Sequence, residues 1–390
     1  MPKVRLGEVL KIGNGRNYST LTKAGKYPVY GSGGLMGYTD DFLYDGESVL
    51  LPRKGTLDNI QYTTGKFWTV DTIYYSKIDD GRVDPYFLFN YLKQLDLKNL
   101  NTGTGVPSMT QKSYEDIPLT IPDLSTQKSI ASILRSLDHK IEINNKINTE
   151  LEALARDLYN YWFVQFEFPD DNQRPYKTAG GAMVYNEELK REIPAGWTVK
   201  SLVDIESNIV TGKTPSTADS NNFGGNIPFV TIDDIRSKLF VTATTRTITA
   251  QGAGTLPKKN IPAGSIFVSC IGTAGLIGFA SVESYTNQQI NSIIPEYARN
   301  RYYLYFALVS YFKFSAGAKT GNTIPNMSKS DFERIRLLVP DNATLETFNN
   351  VVEPFFNQIH SYIQEAGRLT DMRDFLLPMF MNGQIELLAN

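Results

Sequence analysis

The stretch from Ser125 to Phe163 carries one uninterrupted heptad pattern, and this pattern limits what the chain can fold into. It contains no Pro and no Gly. Apolar side chains recur at alternating intervals of four and three residues, which is typical of a coiled-coil seam. Asn144 and Asn148 fill the two polar positions of the pattern. Because a helix of this length would span roughly 57 Å at 1.5 Å per residue, we expect it to need a partner helix.

The same pattern recurs near the C-terminal end of the sequence. A shift of 218 positions places Leu134 on Val352 and Ile117 on Ile335. A self-similarity over half the chain indicates a duplication with two units, so we predict that the partner helix lies in the same chain. The predicted seam residues are Ile130, Leu134, Leu137, Ile141, Leu151, Leu158 and Trp162 of the first helix, and Val352, Phe355, Ile359, Leu369 and Leu376 of the second.

The repeat predicts an order of domain, long helix, domain and long helix. The predicted segments are a domain at residues 1–124, a helix at 125–163, a linker or long loop at 164–195, a second domain at 196–340, a second helix at 341–382 and a tail at 383–390. Short β-branched and aromatic runs between Gly and Asp clusters favour strands in both domains. The predicted fold class is α+β, with two pseudo-two-fold-related α/β domains separated by an antiparallel coiled coil.

Local signals in the sequence refine this plan. A helix is predicted at residues 85–92 of the first domain. Ser125 or Thr126 is the expected N-cap of the first long helix. Pro354 should kink the second long helix or delay its start.

Composition restricts the class of protein. The single cysteine, Cys270, excludes a disulfide framework and suits a reducing cytosol. The N-terminus lacks the apolar core of a signal peptide, and the uncharged run at 265–282 favours two buried strands over a membrane span. We therefore expect a soluble, cytoplasmic protein. The second domain is basic and the helices are acidic, so either the domains face phosphates or the helix faces are simply solvated.

No residue set in the sequence has the spacing of a convincing catalytic site. The two histidines, His139 and His360, lie on the long helices at non-equivalent positions. Pro169–Asp170 and Glu188–Lys190 have the spacing of a metal-dependent nuclease, but they lie outside any predicted strand, which favours a structural role. We therefore predict a binding protein without a metal or cofactor of its own.

The two junctions between domain and helix carry a family resemblance. They read PSMTQKSYEDIPLTIPDLSTQKSIASIL from Pro107 and PNMSKSDFERIRLLVPDNATLETFNNVV from Pro325. Together with the duplicated order, they resemble the specificity subunit of type I restriction–modification enzymes over essentially the whole chain. The resemblance implies a non-catalytic subunit in which each domain recognises one half of a bipartite site in double-stranded DNA.

The resemblance also implies partners. The paired helices would set the distance between the half-sites and dock two methyltransferase subunits, which would bind S-adenosylmethionine. Whether motor-nuclease restriction subunits join the complex stays open. The alternatives are a specificity subunit of a related type II methyltransferase–nuclease system, a coiled-coil scaffold that binds no DNA, and a nuclease site hidden in residues 169–190.

Polar loop residues are the candidates for DNA contact. Arg and Lys suit guanine, whereas Asn and Gln suit adenine. The candidates are Arg53, Lys54, Thr56, Thr102 and Thr104 in the first domain, and Lys213, Thr214, Lys258, Lys259, Lys319 and Asn322 in the second. Asn287, Gln288 and Gln289 could contact adenine, but their place in a repeated strand makes a structural role an equal alternative.

Overall fold

The computed structural model describes residues 2–17, 25–97, 107–236, 238–318 and 326–385, without the side chains of 316–318. The chain divides into two compact units. Unit 1 comprises Met1–Glu142 and Gly367–Asn390, and unit 2 comprises Ile143–Ala366. The structure contains helices and sheets in two domains, together with two long helices, and this confirms the predicted α+β class.

The described residues of unit 1 place its short strands in three sheets. The strands are β1 (Lys3–Arg5), β2 (Leu10–Asn14), β3 (Tyr27–Gly31), β4 (Gly34–Thr39), β5 (Tyr44–Asp45), β6 (Ser48–Pro52), β7 (Gln61–Thr63), β8 (Lys66–Thr69), β9 (Ile73–Ile78) and β10 (Pro118–Thr120). The sheet orders are β1-β10, β2-β9-β6-β7 and β4-β3-β8-β5. The short helices are α1 (Leu6–Val9), α2 (Pro85–Lys93) and α3 (Gln111–Glu115), and α2 confirms the helix predicted at 85–92.

Two long helices each contribute to both units. The first, α4 (Leu124–Tyr159), continues as a π-helical turn at Asn160–Val164, and the second, α10, spans Asn342–Met381. Of the two effects predicted for Pro354, the delayed start of α10 is wrong, because the helix begins at Asn342, whereas the kink stays a prediction. Proline removes a hydrogen bond to the carbonyl four residues earlier, and Asn350 at that position is exposed to water, which can satisfy the carbonyl.

Unit 2 repeats the sheet plan of unit 1 with additions. Its strands are β11 (Met183–Asn186), β12 (Arg191–Pro194), β13 (Thr198–Ser201), β14 (Ile209–Thr211), β15 (Phe223–Val230), β16 (Phe240–Val241), β17 (Arg246–Ile248), β18 (Ile266–Ser269), β19 (Ile277–Ala280), β20 (Tyr285–Thr286), β21 (Ile290–Ile293) and β22 (Arg336–Val339). The sheet orders are β11-β12, β13-β22, β14-β21-β18-β19-β16 and β17-β15-β20. Its helices are α5 (Leu202–Ile205), α6 (Ile232–Ile235), α7 (Ala250–Gly254), α8 (Arg301–Ala318) and α9 (Lys329–Glu333), with 3-10 turns at Ser220–Asn222 and Ala298–Asn300.

Both long helices begin with the same cap, and it is not the one predicted. The side chain of Asp123, rather than Ser125 or Thr126, accepts a hydrogen bond from the backbone N–H of Thr126 at 3.0 Å. At the equivalent position of the repeat, Asp341 accepts from the backbone N–H of Thr344 at 2.8 Å. A carboxylate at this position also interacts favourably with the helix dipole.

The helix pair runs antiparallel within each unit. In unit 1, Leu134 of α4 packs in one cluster with Leu377 of α10, and Arg373 Nη1 donates to Asp138 Oδ1 at 2.7 Å. In unit 2, the two helices also run in opposite directions. Asn144 of α4 forms a hydrogen bond of 2.8 Å with Glu365 of α10, and further along α4, beyond its last α-helical turn, Trp162 contacts Phe348 near the start of α10. Among the predicted seam residues, Ile130, Leu134, Trp162, Val352 and Ile359 are buried, whereas Leu137, Ile141, Leu151, Leu158, Phe355, Leu369 and Leu376 are half-buried.

The segment 164–195, for which the sequence favoured a linker or a long loop, is built into unit 2. It contains the hairpin of β11 and β12. Phe166, Phe168 and Ile193 are buried in the largest cluster of unit 2, and Phe168 stacks on Trp197 with ring centroids 5.0 Å apart. This segment therefore packs as part of the unit.

Candidate functional site

Several loops of unit 1 meet around the turn that joins β8 to β9. We call residues 15–17, 31–34, 53–59, 70–72 and 107–109 the loop edge of unit 1. Backbone hydrogen bonds hold these loops together: Arg16 N–H donates to Thr69 O at 2.9 Å, Arg53 N–H to Thr72 O at 2.9 Å, and Gly55 N–H to Pro107 O at 3.0 Å. Because these three contacts are main-chain, they do not depend on the side chains of the residues that make them.

The described candidates of the first domain all lie on this edge. Arg53 is half-buried, with its guanidinium 5.8 Å from the ring centroid of Tyr74 and Nη1 donating to Asp71 O at 3.5 Å. Lys54 and Thr56 are exposed on the turn that follows. Thr102 and Thr104 lie outside the described residues, as do Lys319 and Asn322 of the second domain.

Unit 2 forms a corresponding edge around the turn between β20 and β21. We call residues 212–214, 270–273, 286–289 and 326–327 the loop edge of unit 2. Lys213 N–H donates to Thr286 O at 2.9 Å, and Met327 N–H donates to Cys270 O at 2.8 Å. Lys213 is exposed, so its side chain is available to a phosphate.

The remaining candidates of unit 2 differ in their contacts. Thr214 Oγ1 donates to Gln288 Oε1 at 2.8 Å. Lys259 Nζ donates to the backbone carbonyl of Thr211 at 2.9 Å, which ties its loop to the end of β14. Lys258 is exposed and has a positive φ of 61°. Lys259 therefore supports the edge, whereas Lys258 faces solvent.

The two loop edges have equivalent frames. Arg16 and Lys213 make the same backbone hydrogen bond, at 2.9 Å in both units. Each follows a glycine that has no room for a side chain: a Cβ would lie 1.9 Å from Val70 O at Gly15, and 2.1 Å from Thr286 Oγ1 at Gly212. Sequence reasoning missed Arg16. Aligning the repeat on these two glycines would have identified it.

The turns at residues 53–55 and 270–272 are also equivalent in the two loop edges. Met109 N–H donates to Arg53 O at 3.0 Å, as Met327 N–H does to Cys270 O. The next glycine of each turn has a positive φ, 87° at Gly55 and 83° at Gly272, a conformation that favours glycine. Exposed cations beside polar turns are suited to phosphate and base contacts in nucleic acid.

The side chains that could have taken part in catalysis have contacts that indicate a structural role instead. Burial raises the pKa of the Cys270 thiol to about 11, so this thiol is neutral near pH 7. His360 packs against Phe240 with ring centroids 4.8 Å apart. In the described residues, no group of three or more His, Cys, Asp and Glu side chains could hold a metal ion.

The nuclease-like spacing likewise has a structural explanation. Asp170 accepts hydrogen bonds from the backbone and the guanidinium of Arg174, which hold the pKa of its carboxyl below the usual value. Glu188 accepts from Arg336 Nε at 2.6 Å and Nη2 at 2.9 Å. Asp170 therefore stabilises its own turn, and Glu188 forms an ion pair with Arg336.

Comparisons with known proteins agree on one family. The family model described as "Type I restriction modification DNA specificity domain" matches residues 1–153 and 194–366. The chain is 34% identical over 328 residues to the type I restriction enzyme HindI specificity subunit of Haemophilus influenzae, covering 72% of this chain and 71% of that one. It is 26% identical over 315 residues to the MjaIX specificity subunit of Methanocaldococcus jannaschii, covering 79% and 70%.

A solved structure shows the same fold. The type I restriction–modification system S subunit from M. genitalium matches with a TM-score of 0.64 and 17% identity, covering 97% of this chain and 95% of that one. In the part of the chain that the structure describes, no helix is long and apolar enough to cross a membrane.

Proposed function

This chain belongs to the type I restriction–modification DNA specificity family and acts in DNA target recognition, and we propose that each of its two units recognises one half of a bipartite site. The observation that carries the proposal is the repeated loop edge. One hydrogen-bonded frame occurs twice and presents a cation at the same position, Arg16 or Lys213. The side chains around it differ, as two unlike half-sites require.

The long helices suit two further roles, setting the spacing of the half-sites and docking methyltransferase subunits. Leu154 of α4 and Met372 of α10 occupy equivalent positions of the repeat, and both are half exposed, at 53% and 52%. Two equivalent apolar positions match two copies of one partner, because each copy can use the same contact. In this proposal the chain is non-catalytic and cytoplasmic, and the methyltransferase subunits bind S-adenosylmethionine.

The test of target recognition is a methylome. The chain is expressed with its methyltransferase in a host without other adenine methylation, and methylated sites are mapped by long-read sequencing. We expect one bipartite motif, and replacing residues 1–124 by the corresponding domain of a relative should change only one half of it. An unchanged motif after the replacement would contradict the proposal. Absence of DNA protection in the presence of the methyltransferase would favour the scaffold alternative.

The test of docking uses matched variants. Leu154→Asp and Met372→Asp should each remove one methyltransferase subunit from the complex, since a charge at an apolar contact is costly. Native mass spectrometry would measure the loss, with Lys200→Asp, at an exposed position of β13, as the control. A complex that keeps both methyltransferase subunits in both variants would refute the proposed contact.

A further inference from the structure

We propose that the turns 70–72 and 287–289 each read one base pair, and that Gln288 selects an A·T pair whereas Arg53 with Asp71 selects a G·C pair. The inference rests on the proposed function, in which each unit contacts one half-site. It goes further by assigning base preference to named side chains.

The two turns are equivalent in the repeat. One joins β8 to β9 and the other joins β20 to β21. The residues before them, Thr69 and Thr286, are both buried, and their carbonyls accept the backbone hydrogen bonds of Arg16 and Lys213. Since the main chains are held alike, a difference in base preference has to come from the side chains that the turns carry.

Only one of the three carboxamides in the unit 2 turn is directed to solvent. Asn287 Nδ2 donates to Gln289 Oε1 at 2.9 Å, and Gln289 N–H donates to Asn287 Oδ1 at 3.0 Å. These two half-buried side chains hold the turn together. Gln288 between them is exposed and takes no part in these two hydrogen bonds.

The Gln288 carboxamide is oriented before any DNA binds. Thr214 Oγ1 donates to Gln288 Oε1 at 2.8 Å, which uses one of the two lone pairs of this oxygen. The other lone pair and the amide N–H groups can still form hydrogen bonds. An oriented carboxamide can accept from N6 and donate to N7 of adenine, which is the usual bidentate contact of Gln in the major groove.

The unit 1 turn carries different chemistry at the same place. Asp71 stands where unit 2 has Gln288 and is exposed. Arg53, whose counterpart Cys270 is buried, lies beside the turn, with Nη1 3.5 Å from the Asp71 carbonyl oxygen. A guanidinium can donate to O6 and N7 of guanine, and a carboxylate can accept from N4 of cytosine. Together they suit a G·C pair.

The experiment measures base preference in the complete complex with its methyltransferase. Once the motif is known, binding is compared across duplexes in which each base pair is changed singly. For Gln288→Ala we expect discrimination to fall by about 5- to 150-fold at one A·T pair of one half-site, since a bidentate contact contributes about that much. For Asp71→Ala we expect relaxation at one G·C pair of the other half-site.

A matched control and the contrary outcomes make the test decisive. Gln358→Ala, at an exposed position of α10, should leave every preference unchanged. Unchanged preference in Gln288→Ala, relaxation at a G·C pair, or an equal loss on all sequences would overturn the inference while the bipartite motif stands. If the unmodified complex shows no bipartite motif, the proposed function itself fails.

Discussion

The two units hold the long helices by different chemistry at equivalent positions. In unit 1, the hydroxyl of Tyr86 donates to Asp138 of α4, and Asp138 also accepts from Arg373 of α10 at 2.7 Å. In unit 2, Tyr302 stacks on Phe356 of α10 with ring centroids 4.1 Å apart and an interplanar angle of 19°. Tyr302 repeats Tyr86, and Phe356 repeats Asp138. In both units, therefore, a tyrosine packs against a long helix, although the contact is a hydrogen bond in unit 1 and an aromatic stack in unit 2.

The largest expected effect is on the stability of unit 2. Phe356→Ala should lower the free energy of unfolding by about 3–5 kcal/mol, because a fully buried aromatic ring leaves a cavity. Asp138→Ala in unit 1 should cost about 1–3 kcal/mol, because it removes hydrogen bonds at a partly exposed site. Urea unfolding measures both losses. Equal losses of unfolding free energy in the two variants would contradict the proposed difference between the units.

Ionic strength should separate the two contacts further. Salt screens the Asp138–Arg373 ion pair, whose side chains are 29% and 25% exposed, whereas it does not weaken an aromatic stack. The cost of Asp138→Ala should therefore shrink as NaCl rises, while that of Phe356→Ala stays constant or grows. Unfolding curves at several salt concentrations would show this, and parallel salt dependence of the two costs would argue against an ionic contribution in unit 1.

A smaller effect is expected at the two helix caps. Asp341→Ala should cost about 0.5–2 kcal/mol, and more than Asp123→Ala, because Asp341 also accepts from the indole N–H of Trp197 at 3.3 Å. Urea unfolding and hydrogen exchange in the first turns of α4 and α10 measure the two costs. Equal costs would show that the indole contact contributes nothing.

The caps also predict a pH dependence. Hydrogen bonds from Thr126 lower the pKa of Asp123. At Asp341, burial opposes ionisation, but hydrogen bonds from Thr344 and Trp197 still hold the pKa below its usual value. A carboxyl with a lowered folded pKa stabilises the fold fully above its unfolded pKa of about 3.9, and this contribution disappears as the pH falls through the folded pKa. The cost of Asp341→Ala should therefore be constant at neutral pH and shrink in acid.

The smallest effect concerns the equivalent cations of the two loop edges. Arg16→Ala and Lys213→Ala should each reduce the slope of log K against log salt by about 0.9, the value for one lost phosphate contact, without changing base preference. Binding titrations of the complex at several salt concentrations measure the slope, with Lys200→Ala as the control. A changed base preference in either variant would mean that the cation contacts a base.

Much of the fold follows from patterns that repeat along the chain. Helix and strand periodicity is local, so the long helices, the helix at 85–92 and the two buried strands within 265–282 could be predicted. The internal shift of 218 positions could have identified the caps too, since it superimposes Asp123 on Asp341 and Thr126 on Thr344. The cap prediction failed because several neighbouring residues were chemically suitable.

The candidate site was less predictable, because it depends on loops that are distant in sequence. Arg53 and Lys213 stand out as basic loop residues, but the equivalence of Arg16 with Lys213 emerges only when their backbone bonds to Thr69 and Thr286 are seen. Likewise, sequence alone could not separate Gln288 from its two neighbours. Their different roles follow from which side chains hydrogen-bond to each other across the turn.

The sequence by itself determined the duplication, the two long helices and the family, since each is a matter of residue type and spacing. Tertiary structure alone decided that residues 164–195 pack into unit 2, where Phe166 and Phe168 find an aromatic core that has no regular spacing in the chain. Tertiary structure also decided which polar groups face solvent. The physical reason is that the burial of a residue and its hydrogen-bond partners depend on contacts between distant segments, and the periodicity of the sequence does not encode these contacts.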